Sequence, residues 1–183
     1  MDYIFLTGLI GSLVIVIGAA WPEKMVKRPV QSIKNWLFTI GGLIMLFYAI
    51  FGYMAGGSIF FIFLQLLVIV SCILMMLDLN DIIDTVVISI TALAFIVWSF
   101  FLFKGYNTIF FIIGLAGIGL GYAFKMGTFR RNVALTLGSM LIALFSYFEA
   151  SWIFFWLNVF FAFFSGYYLI HGLLHRKGVP VKV

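Results

Sequence analysis

The sequence predicts an all-α membrane protein with seven transmembrane helices. Of the 183 residues, 65% are hydrophobic and 9% are charged, whereas soluble domains carry about 25% charged residues. The mean hydropathy is +1.23. The apolar residues form seven runs, each close to the length of about 20 residues that a helix needs to cross a bilayer. These figures exclude a soluble globular domain, a disordered chain and a nucleic-acid-binding protein.

The seven runs are expected to be helices because backbone groups in lipid must hydrogen-bond within their own segment. A membrane barrel would need alternating segments of about ten residues, and the sequence has none. The first run lacks a preceding basic segment, so we expect a retained helix and not a cleaved signal peptide. The predicted helices span residues 3–21, 35–55, 58–77, 82–103, 108–124, 132–148 and 151–174. The connecting loops are too short to hold an extramembrane catalytic domain.

The basic residues predict the orientation of the chain, whose net charge is +5. Every Lys and Arg except Lys104 falls in the first loop, the fifth loop or the C-terminal tail. Cytoplasmic loops are the ones enriched in Lys and Arg. We therefore expect the odd-numbered loops and the C-terminus in the cytoplasm and the N-terminus outside, which agrees with an odd number of spans.

An internal repeat is the second feature of the sequence. Residues 1–79 would form a first three-helix repeat, 80–106 a linking fourth helix, 107–174 a second three-helix repeat and 175–183 a cytoplasmic tail. Because a single helix links them, the two repeats have the same orientation across the membrane, as in some transporters. The alignment rests on polar and small residues, which chance matches less often than Phe or Leu. The aligned pairs are Asn35/Asn132, Thr39/Thr136 and Gly41/Gly138 at an offset of 97, Ser58/Ser151, Gln65/Asn158 and Cys72/Ser165 at 93, and Gly8/Gly114 and Gly11/Gly117 at 106.

Gln65 and Asn158 are the most informative pair, since each is an amide inside a membrane helix whose donor and acceptor lipid cannot satisfy. Each lies seven residues after a serine and seven before a cysteine or serine, on one helical face. They predict a binding site for a small uncharged, hydrogen-bonding solute between the repeats, although an interhelical amide bond explains them almost as well. Aromatic residues are expected to add stacking. The other candidate residues are Ser58, Ser151, Cys72, Ser165, Tyr48, Phe145 and Trp156.

The remaining polar residues are given structural roles. Asp78, Asp81 and Asp84 open the fourth helix, where acids favour the positive end of the helix dipole. His171 and His175 end the seventh helix, and two histidines alone do not make a metal site. The sequence contains no hydrolase, zinc-protease or nucleotide-binding motif. We therefore expect no enzyme activity, no metal and no cofactor, with an intramembrane enzyme built on the three aspartates as the weakest hypothesis.

The order of three helices, one linker and three helices, with an amide on the third helix of each triplet, resembles the SWEET and PQ-loop transporter superfamily. PnuC-type vitamin transporters share this layout, and uncharacterised bacterial inner-membrane proteins are similar over residues 132–168. In SWEET proteins an asparagine on each third helix binds the sugar, which implies that role for Gln65 and Asn158. The chain differs in having no Pro-Gln dipeptide and no proline inside a predicted span. The resemblance implies facilitated diffusion by alternating access in a bacterial or archaeal cytoplasmic membrane.

Two functions therefore remain open. The first is a carrier for a sugar, a vitamin or a nucleoside-like solute that binds between the triplets. The second is a receptor, sorting or assembly protein of the same architecture, whose basic loops contact a partner or anionic lipid. The sequence leaves a homo-oligomer open, while two complete triplets indicate that one chain is sufficient.

Overall fold

Apolar runs form helices throughout the chain, for which a computed structural model describes residues 3–21, 29–77, 79–125 and 128–176. Within these ranges there are seven long helices, one short 3-10 helix and no strand. The 3-10 helix is Pro29–Gln31. The long helices are α1 (Tyr3–Ala20), α2 (Ile33–Met54), α3 (Phe60–Leu77), α4 (Asp81–Phe101), α5 (Tyr106–Ala123), α6 (Phe129–Phe148) and α7 (Trp152–Arg176).

The seven long helices are apolar and long enough to cross a membrane. Large hydrophobic side chains cover much of their outer surface, as a lipid environment requires. The chain is therefore an integral membrane protein, and the predicted number of helices is confirmed. The predicted ends differ from those observed by a few residues. The largest shift is at α6, which begins at Phe129 because Thr128 caps it by accepting a hydrogen bond from the backbone of Arg131.

The helices pack in chain order around a closed bundle. Each helix contacts the next one along the chain, and α1 contacts α7. The helix α3 also contacts α5, so α4 packs on the outside of their junction. Among the seven, α3 is the most buried. This arrangement leaves space for a central cavity inside the bundle.

The two ends of the bundle differ in charge. The end that holds the first turns of α2, α4 and α6 carries the described cations Lys34, Lys125, Arg130 and Arg131, and we call it the basic end. We call the opposite end, which carries Lys104, the aromatic end. The other basic residues used for the orientation prediction lie outside the described residues or have no described side chain: Lys24, Lys27, Arg28, Arg176, Lys177 and Lys182.

The helices α2 and α6 end at the aromatic end in the same type of turn. The turn after α2 places Gly56 in the left-handed region with φ 93°, and the turn after α6 places Ala150 there with φ 52°. In both turns a backbone N–H bonds back to a carbonyl five residues earlier, Gly57 to Gly52 and Ser151 to Ser146. A Cβ is unfavourable in this conformation and glycine is not.

Replacing Ala150 by glycine is therefore expected to stabilise the protein, by about 1 kcal/mol. The expected rise in melting temperature is about 2–4 °C for a chain of this size, measured on purified protein in detergent. The matched control is the reverse change in the other turn, Gly56→Ala, which should lower the melting temperature by a similar amount. A melting temperature that falls in Ala150→Gly would contradict the strained turn.

Candidate functional site

A cavity of about 670 Å³ lies inside the bundle and opens at the basic end. All seven helices contribute to its wall. The exposed residues Asp81 and Lys125 mark its mouth, and Gln65 and Asn158 lie at its floor. The volume falls within the range of about 300–1,000 Å³ that is usual for pockets that bind small molecules.

The floor of the cavity is formed by the two amides. Gln65 is 3% exposed, and its Oε1 accepts no hydrogen bond from any described residue. Asn158 is 5% exposed and donates from Nδ2 to the carbonyl of Phe154, one turn earlier in its own helix, at 2.8 Å. Among the described residues, the side chains of Gln65 and Asn158 form no hydrogen bond with each other. A buried acceptor without a donor is costly, so Gln65 is poised to accept a hydrogen bond from a bound molecule.

Beyond the floor, five buried phenylalanines close the aromatic end of the cavity. The rings of Phe61 and Phe154 are stacked, with centroids 4.2 Å apart and planes 2° apart. Each precedes its floor amide by one helical turn. We call the following five residues the aromatic layer: Phe60, Phe61, Phe111, Phe145 and Phe154, linked by ring contacts of 4.2 to 5.7 Å.

Most of the cavity lining in the first three helices has a counterpart in the lining of the last three. Most lining residues of α1, α2 and α3 coincide with lining residues of α5, α6 and α7 after shifts of 103, 97 and 93. Several of these pairs keep their chemistry. The pairs are Ile15/Ile118, Ala19/Tyr122, Lys34/Arg131, Asn35/Asn132, Phe38/Leu135, Leu64/Leu157, Gln65/Asn158, Val68/Phe161, Ser71/Phe164, Cys72/Ser165 and Met75/Tyr168.

Glycine contacts correct the register predicted for α1 and α5. A Cβ on Gly41 would lie 3.2 Å from the carbonyl oxygen of Gly11, and one on Gly138 would lie 2.9 Å from that of Gly114. The contacts therefore match Gly11 with Gly114, an offset of 103, where the sequence matched Gly11 with Gly117 at 106. The two registers differ by about one helical turn, and glycines recur at that spacing in α5, so the sequence pattern fits both.

The predicted site residues separate into three groups in the structure. Gln65, Asn158, Cys72 and Ser165 line the cavity. Phe145 belongs to the aromatic layer, and Tyr48 packs on Phe154 with ring centroids 5.4 Å apart. The third group lies outside the described lining of the cavity: Ser58, Ser151 and Trp156.

The structure explains why the residues of the third group lie outside the cavity lining. Ser58 and Ser151 precede the first residues of α3 and α7, so the helical stripe predicted from them does not extend that far. Trp156 is 55% exposed. It precedes Asn158 by two residues, about 200° around the helix, and therefore faces outward.

Charged residues at the mouth were not predicted as part of the site. Lys34 and Arg131 line it from α2 and α6, and Asp81 and Asp84 line it from α4. The Nζ of Lys125 lies 3.6 Å from Oδ2 of Asp81, and both side chains are highly exposed. The sequence signal for Lys34 and Arg131 was their match at an offset of 97, but both were taken only as markers of orientation.

The acidic residues near the mouth were also considered as a metal site. Among the described residues, no group of three or more His, Cys, Asp and Glu could hold a metal ion. Asp81 and Asp84 occupy the first turn of α4, as predicted, and Asn80 caps that helix by accepting a hydrogen bond from the backbone of Ile82. Asp78 and the side chains of His171 and His175 lie outside the described part of the chain.

Comparisons with known proteins add nothing to this geometry. No family model, curated protein or solved structure matches the chain.

Proposed function

We propose that the chain is a membrane carrier that moves a small hydrogen-bonding solute by alternating access. The observation that carries the proposal is the cavity, which is open at one end, closed at the other by the aromatic layer, and lined by matching residues from two halves of the chain. A purely structural bundle has no need of an open internal space of about 670 Å³ whose floor holds an amide oxygen without a donor among the described residues.

Contacts in the aromatic layer support two parallel repeats around an axis through the cavity. Phe61 stacks on its repeat equivalent Phe154. The ring of Tyr48 lies 5.4 Å from Phe154, and its repeat equivalent Phe145 lies 5.4 Å from Phe61. A two-fold rotation that exchanges the two halves would place the contact between Tyr48 and Phe154 on the contact between Phe145 and Phe61. In transporters with parallel repeats, rocking of one unit against the other exposes a central site to each side in turn.

In this proposal the state described here is open at the basic end. The orientation predicted from the basic residues makes that end cytoplasmic. Opening to the other side would separate Phe61 from Phe154 and close the mouth between α2, α4 and α6. We also propose a place in the SWEET and PQ-loop superfamily, which the helix order along the chain and the amide positions favour, and with it a bacterial or archaeal cytoplasmic membrane.

The single cysteine of the chain provides the test of sidedness. Cys72 lines the cavity between the floor and the mouth. A membrane-impermeant thiol reagent is expected to label Cys72 about tenfold faster from the basic end than from the aromatic end. That ratio corresponds to a preference of about 1.4 kcal/mol for the state described here. The rates are measured in right-side-out and inside-out membrane vesicles, and an independent topology assay of the loop that holds Lys104 identifies which vesicle face is the aromatic end.

Two variants control this experiment. Cys72→Ser has no thiol and should not be labelled. Cys72→Ser combined with Ser165→Cys moves the thiol to the repeat-equivalent position, where it should react faster because Cys72 is 2% exposed and Ser165 is half-buried. Faster labelling from the aromatic end, or no labelling of either thiol from the basic end, would refute the carrier with this open cavity.

A further inference from the structure

Two cations occupy matching positions at the mouth of the cavity. Lys34 is the second residue of α2 and Arg131 the third of α6, and both are half-buried in the lining. Each is followed by an asparagine, Asn35 or Asn132, that also lines the mouth. Several other pairs in the lining differ in size or polarity between the halves, whereas this pair keeps its positive charge.

The positions of these cations are unfavourable for their own helices. The first turn of a helix carries the positive end of its dipole and favours acids. The helix α4 follows this rule with Asp81 and Asp84, while α2 and α6 have no acid in the first turn. Stabilisation of the helices therefore does not explain Lys34 and Arg131.

Membrane orientation does not require that these cations line the cavity. Arg130 lies next to Arg131, is exposed, and does not line the described cavity. It supplies the positive charge that a cytoplasmic loop requires. Two neighbouring arginines thus face different surroundings, and only Arg131 contributes to the wall of the cavity.

The acids at the mouth leave a positive balance. The charged lining residues are the cations Lys34, Lys125 and Arg131 and the acids Asp81 and Asp84. The ammonium of Lys125 pairs with Asp81 at 3.6 Å. The remaining charged residues are the acid Asp84 and the two cations Lys34 and Arg131, so the net charge of the lining is positive. Lys34 forms no ion pair with a described residue.

We infer that the solute is an organic anion whose carboxylate or phosphate is attracted to the mouth by the positive charges of Lys34 and Arg131 while its uncharged, hydrogen-bonding end reaches Gln65 and Asn158. This inference rests on the proposed carrier function, and it replaces the uncharged solute that the sequence predicts. The two binding regions lie at opposite ends of the cavity. Lining residues of α3 run from Gln65 to Met75, about 15 Å along the helix, so the inference also calls for an elongated solute.

The test measures the electrostatic potential inside the cavity with charged thiol reagents. The protein is Cys72→Ser with Ser165→Cys, purified in an uncharged detergent. Its thiol is reacted with a sulfonate-bearing and a trimethylammonium-bearing methanethiosulfonate, and each rate is divided by the rate of the same reagent with 2-mercaptoethanol. We expect the normalised ratio to favour the sulfonate.

Neutralising either cation should reduce that preference. Lys34→Gln and Arg131→Gln are each expected to lower the ratio about threefold, the effect of one charge about 10 Å away on two reagents that differ by two charges. Arg130→Gln is the matched control and should leave the ratio unchanged. An uncharged methanethiosulfonate, expected to react equally with all variants, verifies that the cavity is intact. A ratio that favours the trimethylammonium reagent, or one unaffected by Lys34→Gln, would overturn the inference.

Inorganic phosphate then serves as the probe for binding. At constant ionic strength it should slow sulfonate labelling of the parent protein and not of Lys34→Gln/Arg131→Gln. Protection that needs phosphatidylglycerol nanodiscs and does not occur with phosphate would assign the mouth to a lipid headgroup and overturn the inference. Failure of the uncharged reagent to react at all would refute the open cavity itself, and with it the carrier function.

Discussion

Replacing Gly138 by alanine is expected to be the most destabilising small substitution in the described helices. A Cβ at this position would lie 2.7 Å from the backbone nitrogen of Ile118, 2.9 Å from the carbonyl oxygen of Gly114 and 2.9 Å from the carbonyl carbon of Gly117. All three atoms are backbone, so α5 and α6 can accommodate the methyl group only by moving apart. Overpacking of this kind costs about 1–3 kcal/mol or more, a fall in melting temperature of about 5–10 °C.

Two neighbouring glycines of α2 provide the matched comparison. A Cβ on Gly41 would lie 3.0 Å from the backbone nitrogen of Ile15 and 2.6 Å from its side chain, whereas a Cβ on Gly42 would meet nothing closer than 3.5 Å. Gly41→Ala should therefore lower the melting temperature, though less than Gly138→Ala because a side-chain atom can move. Gly42→Ala should leave it unchanged or raise it slightly, since alanine favours helix. Equal effects of Gly41→Ala and Gly42→Ala would contradict the close packing of α1 on α2.

The parts of the fold that depend on local composition could be predicted from the sequence. Seven uninterrupted apolar runs give seven helices because lipid leaves the backbone no other way to satisfy its hydrogen bonds. The amide pair could also be identified, since an amide in an apolar run is conspicuous, and Gln65 and Asn158 do share one cavity. Residues at the ends of helices were less predictable, because Ser58 and Ser151 lie just before the point where helical geometry begins.

The sequence could not show which of the basic residues line the cavity. Lys34, Arg130 and Arg131 all satisfy the rule for cytoplasmic loops, and the rule does not distinguish a side chain in a cavity from one in water. That distinction depends on how α2 and α6 are rotated about their axes. The rotation is set by glycine contacts such as Gly41 on Gly11 and Gly138 on Gly114, which bring pairs of helices together at distances that no sequence pattern specifies.

The wall of the cavity is chemically uneven in a way that bears on its solute. At four of the paired positions the second half carries an aromatic ring where the first half carries a smaller or unbranched side chain. The floor and the mouth, in contrast, keep amides and cations in both halves. A wall that differs between the halves, with a floor and a mouth that match, is expected if one solute lies asymmetrically across the axis that relates the two halves. The four pairs are Ala19/Tyr122, Val68/Phe161, Ser71/Phe164 and Met75/Tyr168.

Replacing Gln65 by leucine is expected to stabilise the empty protein and to weaken its binding of the solute. The Oε1 atom is buried without a donor among the described residues, which costs about 1–3 kcal/mol, and leucine removes that cost while filling a similar volume. The melting temperature without solute should rise by about 3–8 °C. A thermal-shift screen against sugars, nucleosides, vitamins, amino acids and organic anions should find a ligand that stabilises the wild type and binds the variant at least about tenfold more weakly.

A substitution of Asn158 distinguishes a binding role of the two amides from a structural role. Its Nδ2 already bonds to the carbonyl of Phe154, so Asn158→Leu should change the stability little and weaken binding. If the amides instead held α3 and α7 together, both substitutions would lower the melting temperature by similar amounts. A fall in stability in Gln65→Leu would therefore mean that Gln65 has a structural partner. A rise in stability with unchanged binding would move the solute away from the floor of the cavity.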